Sequence, residues 1–197
     1  MMYSEDKEVL NEAKTRFDSN KLEDLPTEIR ALIISANVRH FETPEMIEDL
    51  FVAYKNTPSN DLQNDIAIGL TSTKNPETAE KILANIKDSN IIRPQDASRW
   101  FVYLIRTRES RQIAWNWLKE NWAWVEEKFG EDKSYDDFIR YAATALLTPN
   151  ELDDFRQFFE PMMDIPALAR TIKLGITEIS ARVELIKRDK EAVVSAL

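Results

Sequence analysis

The chain is 197 residues long, enough for one large domain with a substantial core. Its 43% hydrophobic and 31% charged residues are the composition of a globular protein, and a formal net charge of −9 disfavours phosphate backbones, which argues against nucleic acid as a partner. The absence of cysteine removes disulfides and thiolate metal sites and suits a reducing cytoplasm, and the three glycines are too few for a fold of tight hairpins or Gly-rich phosphate loops. The charged start, Met1 to Lys7, is unlike a signal peptide, and no apolar run reaches the roughly 20 residues of a membrane span. A soluble, cytoplasmic protein is therefore expected.

Helical periodicity runs from end to end. The first predicted helix, about Glu5 to Phe17, places Val9, Leu10, Ala13 and Phe17 on one stripe. The second opens at Pro26 and runs through Ile29, Leu32, Ile33, Ala36 and Val38 towards His40. The clearest starts follow. Thr43-Pro44-Glu45, Asn75-Pro76-Glu77 and Thr148-Pro149-Asn150-Glu151 each combine an N-cap acceptor, a proline at the first helical position and an acid in the first turn. Arg93-Pro94-Gln95-Asp96 and Ile165-Pro166 carry weaker versions of the same signal. A helix carrying Leu62, Ile66, Gly69 and Leu70 falls between Tyr54 and Asn75, and a long one is expected from Arg111 to about Phe129. Gly130 follows it as a C′ residue. Helices over about Tyr135–Leu147 and Pro149–Phe159 come next, then one from Pro166 to near the terminus. No stretch sustains the alternation of a strand.

This pattern predicts an all-α fold. Antiparallel helices repeating at a few tens of residues suggest a HEAT/armadillo-like α-α superhelix of stacked helix pairs, with a compact bundle as the alternative. No linker-like stretch divides residues 1–197, so a single domain is expected.

The chemistry available is sparse. His40 is the only histidine, so a zinc site needing two or three imidazoles is excluded; His40 is the one available base for Ser-His-Asp chemistry, but its place at the end of an apolar helix suits a structural or surface role. The acid pairs Glu126-Glu127, Asp136-Asp137 and Asp153-Asp154 point about 100° apart on a helix and do not converge on one substrate atom. The most distinctive patch is Ala114-Trp115-Asn116-Trp117-Leu118-Lys119-Glu120-Asn121-Trp122-Ala123-Trp124. Trp115, Leu118, Trp122 and Val125 form one stripe, read as core, with Trp117 and Trp124 on a second stripe beside it. An indole lining a peptide groove is the functional alternative.

Two of these segments carry a resemblance. Ile92-Arg93-Pro94-Gln95-Asp96, followed about twenty residues on by Ala114-Trp115-Asn116-Trp117-Leu118-Lys119-Glu120-Asn121-Trp122, resembles the Ile/Val-Arg-x-Gln-Asp and Ala-Trp-x-Phe/Trp-Leu/Ile-x-x-Asn-Trp elements of the aminopeptidase N family's C-terminal helical domain. Leu10-Asn11-Glu12-Ala13-Lys14-Thr15-Arg16-Phe17, Pro26 to Arg30 and the ending with Ile179, Glu184, Leu185 and Lys190 to Val194 look like further parts of it. The family includes the endoplasmic-reticulum aminopeptidases and bacterial lysyl aminopeptidases.

The resemblance implies a non-catalytic domain of a zinc enzyme that removes N-terminal residues from peptides. It implies that zinc sits in a catalytic domain, N-terminal to Met1, with an H-E-x-x-H helix that this chain lacks. It also implies two partners: that catalytic domain, and a peptide whose chamber this domain walls off. Arg93, in the resembling motif, and Arg140 are the candidate contacts for a peptide carboxylate, against ordinary surface or inter-helix ion pairs. The competing reading is a free-standing helical-repeat scaffold that binds another protein. An independent enzyme working with carboxylates has little support.

Overall fold

The computed structural model describes residues 6–132 and 135–196. Among them are eleven α-helices, two short 3-10 turns and no strand, so the fold is all-α. The helices are α1 (Lys7–Ser19), α2 (Thr27–Phe41), α3 (Pro44–Asn56), α4 (Asn60–Leu70), α5 (Pro76–Ile86), α6 (Pro94–Arg106), α7 (Arg111–Glu120), α8 (Trp122–Phe129), α9 (Asp137–Ala145), α10 (Pro149–Phe159) and α11 (Pro166–Ala196). Two compact units result, Met1–Ala114 and Trp115–Leu197.

The caps form as their chemistry dictates. Thr43 Oγ1 accepts from Met46 N at 3.1 Å, and Asn75 Oδ1 accepts from Glu77 N at 3.0 Å. Thr148 and Glu151 build a full capping box: Thr148 Oγ1 takes Glu151 N, while Glu151 Oε2 takes Thr148 N at 2.8 Å. Asp6 caps α1; the expected start at Glu5 lies outside the described residues. Pro26 stands at the N-cap of α2 rather than inside it.

Two expectations fail locally. The helix expected from Arg111 to Phe129 breaks at Asn121, whose backbone sits at φ −111°, ψ 17°. There both the Asn121 backbone N–H and its side-chain amide donate to the Trp117 carbonyl, at 2.9 and 2.8 Å, which offers the chain a local alternative to continued helix. Gly130 ends α8 with φ −56°, ψ −27°, so the left-handed C′ conformation is not used.

In the first unit the middle of α2 is buried all round. Ile33 to Val38 are all buried, with α1 and α4 packed against it. The tight approach of α4 is made at Gly69, where a Cβ would lie 2.2 Å from Ile34 Cγ2. Arg30 and Asp65 pair across the same two helices at 2.7 Å with both side chains largely buried. Past the end of α2, the Glu42 carboxylate accepts from the Thr73 and Thr78 hydroxyls, tying it to the loop before α5 and to α5 itself. Trp100 of α6 stacks on Phe51 of α3 and meets Tyr54 edge-on, with centroids 6.1 and 5.1 Å apart.

The second unit is built on aromatic rings. Trp115, Phe155 and Phe159 are fully buried, and Trp122 meets Phe159 edge-on at 5.1 Å. Leu118 and Val125 are buried with Trp115 and Trp122, so that stripe of the tryptophan patch is core. Trp117 and Trp124 pair edge-on beside it, 5.9 Å apart. Asp154 receives the Trp115 indole N–H and the Lys119 ammonium, each at 2.6 Å. Arg182 of α11 donates to the Ala143 and Leu146 carbonyls at 2.9 and 2.6 Å, satisfying carbonyls at the buried C-terminal end of α9.

Candidate functional site

The first unit carries a polar cleft of about 280 Å³ where α3, α4 and α6 meet. Tyr54, Ala67 and Trp100 line it, together with Asn60, Gln63 and Asn64 of α4 and Arg93, Gln95, Asp96 and Arg99 from the start of α6. The rings are rigid. Trp100 is 1% exposed and held between Phe51 and Tyr54.

The Arg-x-Gln-Asp element explains itself in this geometry. Arg93 is the residue before the first turn of α6, and Asp96 is buried within that turn. The Arg93 Nε–H donates to Asp96 Oδ2 at 2.8 Å, and the Asp96 backbone N–H donates to the Arg93 carbonyl at 2.8 Å. A buried carboxylate needs such a partner, which is the reason for the fixed spacing. Gln95 is left facing the cleft between them.

Arg99 is exposed one turn further on, and its Nη1 donates to Asn64 Oδ1 at 3.3 Å. The Tyr103 hydroxyl donates to the same oxygen at 3.3 Å. With its oxygen accepting both, Asn64 keeps its amide N–H groups as donors. Gln63 gives its amide to the Tyr54 carbonyl at 3.1 Å. Burial pushes the Tyr54 phenol above its ordinary range; the Trp100 hydrogen bond and the charges of Arg93 and Arg99 offset this only in part, while Asp96 adds to it. The phenol therefore stays neutral. The cleft thus offers guanidinium and amide donors over an aromatic floor.

Of the two arginines picked out from sequence, Arg93 lines this cleft and Arg140 does not. Arg140 lies in the second unit on an exposed face of α9, paired with Asp137 at 2.5 Å and placed over the Tyr141 ring. Sequence reasoning missed Arg99, because what defines it is its contact with Asn64, 35 residues away. The acid pairs are taken up structurally: Asp136 accepts from Thr171, Asp137 from Arg140, and Asp154 from Trp115 and Lys119. His40 is half-buried in the last turn of α2. No group of three His, Asp or Glu side chains among the described residues is placed to hold a metal ion, so the residues present do not fit zinc.

Over residues 1–181 the chain matches the family described as the ERAP1-like C-terminal domain. Aminopeptidase N of Lactobacillus helveticus is 30% identical over 198 residues, which cover 100% of this chain and 24% of that protein. Aminopeptidase N of Lactococcus lactis subsp. lactis is 33% identical over 176 residues, 89% of this chain and 21% of the relative. Glutamyl aminopeptidase of Mus musculus is 22% identical over 190 residues, 95% of this chain and 20% of the relative. The chain spans about a quarter or less of the length of these curated relatives.

Proposed function

Because the chain belongs to the ERAP1-like C-terminal domain family, we propose that it is the non-catalytic C-terminal domain of a zinc aminopeptidase, which walls the substrate chamber and contacts the bound peptide. The family match carries this reading. It runs through both units, which supports treating 1–197 as one domain, and the relatives it points to are aminopeptidases several times longer. Layering of α1, α2 and α4, and of α5 on α6, supports the stacked-pair superhelix expected from the repeat spacing. The catalytic domain is then the intramolecular partner, and it holds the zinc. A cytoplasmic enzyme fits a chain without cysteine in which no described helix is long and apolar enough to cross a membrane.

In this reading the cleft beside Arg93 meets the peptide's C-terminal carboxylate, which a planar guanidinium binds through two parallel hydrogen bonds. Arg140 is the second candidate contact. The full enzyme should favour peptides with a free carboxylate over their C-terminal amides. Arg93→Ala should raise KM for the acids more than for the amides, because it leaves the Asp96 carboxylate facing the cleft without its partner. Equal changes for both peptide classes would remove the carboxylate contact from the proposal.

A further inference from the structure

A groove of about 450 Å³ lies in the first unit where the end of α1 meets α3, and it shares no lining residue with the polar cleft. Its floor is apolar. Phe17 and Leu22 come from α1 and the 3-10 turn after it (Leu22–Asp24), and Met46, Leu50 and Ala53 come from α3. Of these only Leu50 is buried; the other four are half-buried and leave carbon surface open to a ligand. The rim is fixed by local bonds. The Asn20 side-chain amide donates to the Arg16 carbonyl at 2.8 Å at the end of α1, and Thr43 is committed to the cap of α3. Two carboxylates, Glu45 and Asp49, line the same groove one helical turn apart on α3. Like charges at that spacing weaken a helix, and the helix dipole favours an acid only in the first turn, which accounts for Glu45 but not for Asp49. Neither carboxylate has a hydrogen bond or an ion pair among the described residues. Glu48 of the same helix differs, because it pairs with Lys81 of α5 outside this groove. Lys21, on the α1 side, pairs with neither acid, so the groove keeps two negative charges against one positive.

We infer that this groove is a binding site for a small primary amine with an apolar body, its ammonium held by Glu45 and Asp49 and its body lying on Phe17, Met46 and Leu50. An ammonium carries three donors, enough to serve both carboxylates, and its charge removes the repulsion between them. The apolar body covers the half-exposed carbon surface of the floor. The volume falls in the range of small-molecule sites, roughly 300–1,000 Å³. Met46 suits such a floor, since its flexible thioether adapts to ligands of different outline. The site stands on the groove alone and does not depend on the proposed function.

The test is binding to the 197-residue chain, followed by amide chemical-shift titration with three ligands that share a phenylethyl group: phenethylamine, the neutral 2-phenylethanol and the anion 3-phenylpropionate. The amine should bind roughly tenfold more tightly than the alcohol, and the anion most weakly. Shift changes should gather at the end of α1 and along α3. Raising the salt to about 0.5 M should weaken the amine and leave the alcohol unaffected. Glu45→Gln combined with Asp49→Asn should bring the amine down to the affinity of the alcohol. Glu48→Gln, which removes a charge from the same helix outside the groove, should leave the amine preference in place. Ala53→Leu, which adds three carbons to the floor, should weaken amine and alcohol alike. Thermal melts identify any variant that has lost its fold.

Equal affinity of the wild type for amine and alcohol, or no binding of either, would overturn the inference without recourse to any variant. So would an amine preference that survives the paired replacement, since the carboxylates would then not be its source. A preference that Glu48→Gln also removes would mean that the amine answers only to the overall negative charge of the chain, and shift changes gathered away from α1 and α3 would place it elsewhere; either result overturns the site.

Discussion

Gly69 is the residue through which the first unit's packing can be tested most sharply. In Gly69→Ala the new methyl carbon would lie 2.2 Å from Ile34 Cγ2 and 2.9 Å from Ile34 Cβ. Carbon atoms rest at about 3.5–4.0 Å, so the nearer contact is too close by at least about 1.3 Å. Ile34 has little room to yield. It is fully buried, and a β-branched residue in a helix holds essentially one χ1 rotamer. The backbones of α2 and α4 must separate instead, against the Arg30–Asp65 ion pair that joins the same two helices. Overpacking of this kind costs about 1–3 kcal/mol, and the better helix propensity of alanine returns about 1 kcal/mol of it. With so short a contact the upper part of that range applies, leaving a net loss of about 1–2 kcal/mol. Urea unfolding of the chain should show a lower midpoint with an unchanged slope. Ile34→Ala alone should cost about 2–5 kcal/mol, and in the double variant the two losses should fall short of their sum by at least about 1 kcal/mol. A Gly69→Ala protein as stable as its parent, or strictly additive losses, would refute the close-approach argument.

Two further outcomes are expected. Burial raises the Asp154 carboxyl, but the hydrogen bonds of Lys119 and Trp115 and the charge of Lys119 outweigh it and hold the group below its ordinary range. A carboxylate depressed in the folded state adds stability above its unfolded value of about 4, and that contribution is lost as pH falls through the folded value. Asp154→Asn should therefore lower stability at pH 7 and flatten the acid limb of a stability–pH curve below the ordinary carboxylate range; an unchanged acid limb would count against the network. Thr148→Ala removes the capping box of α10 and should cost about 1 kcal/mol in denaturant unfolding, while Thr148→Ser should restore most of it. A Ser variant as unstable as Ala would mean that the hydroxyl is not the stabilising group.

Much of this protein was legible before any coordinates, wherever the deciding contacts lie within one helical turn. The caps at Thr43, Asn75 and Thr148 each satisfy backbone N–H groups two or three residues on, and a proline beside each fixes the entry. The burial of Trp115, Leu118, Trp122 and Val125 followed from their spacing alone, and it survived the break at Asn121 because their neighbours hold both halves. That break itself, and the right-handed conformation of Gly130, were closed to pattern reading because both turn on the detailed backbone geometry at one residue. The cleft was half legible. Arg93 stood in a recognisable motif, and its bond to Asp96 spans three residues. The tertiary structure alone brought Asn64 and Arg99 together across 35 residues and set Trp100 between Phe51 and Tyr54. It also pressed Gly69 against Ile34. Local chemistry starts and stops the helices, but which faces meet depends on burying apolar surface contributed by residues far apart in the chain, and one sequence read locally does not hold that information.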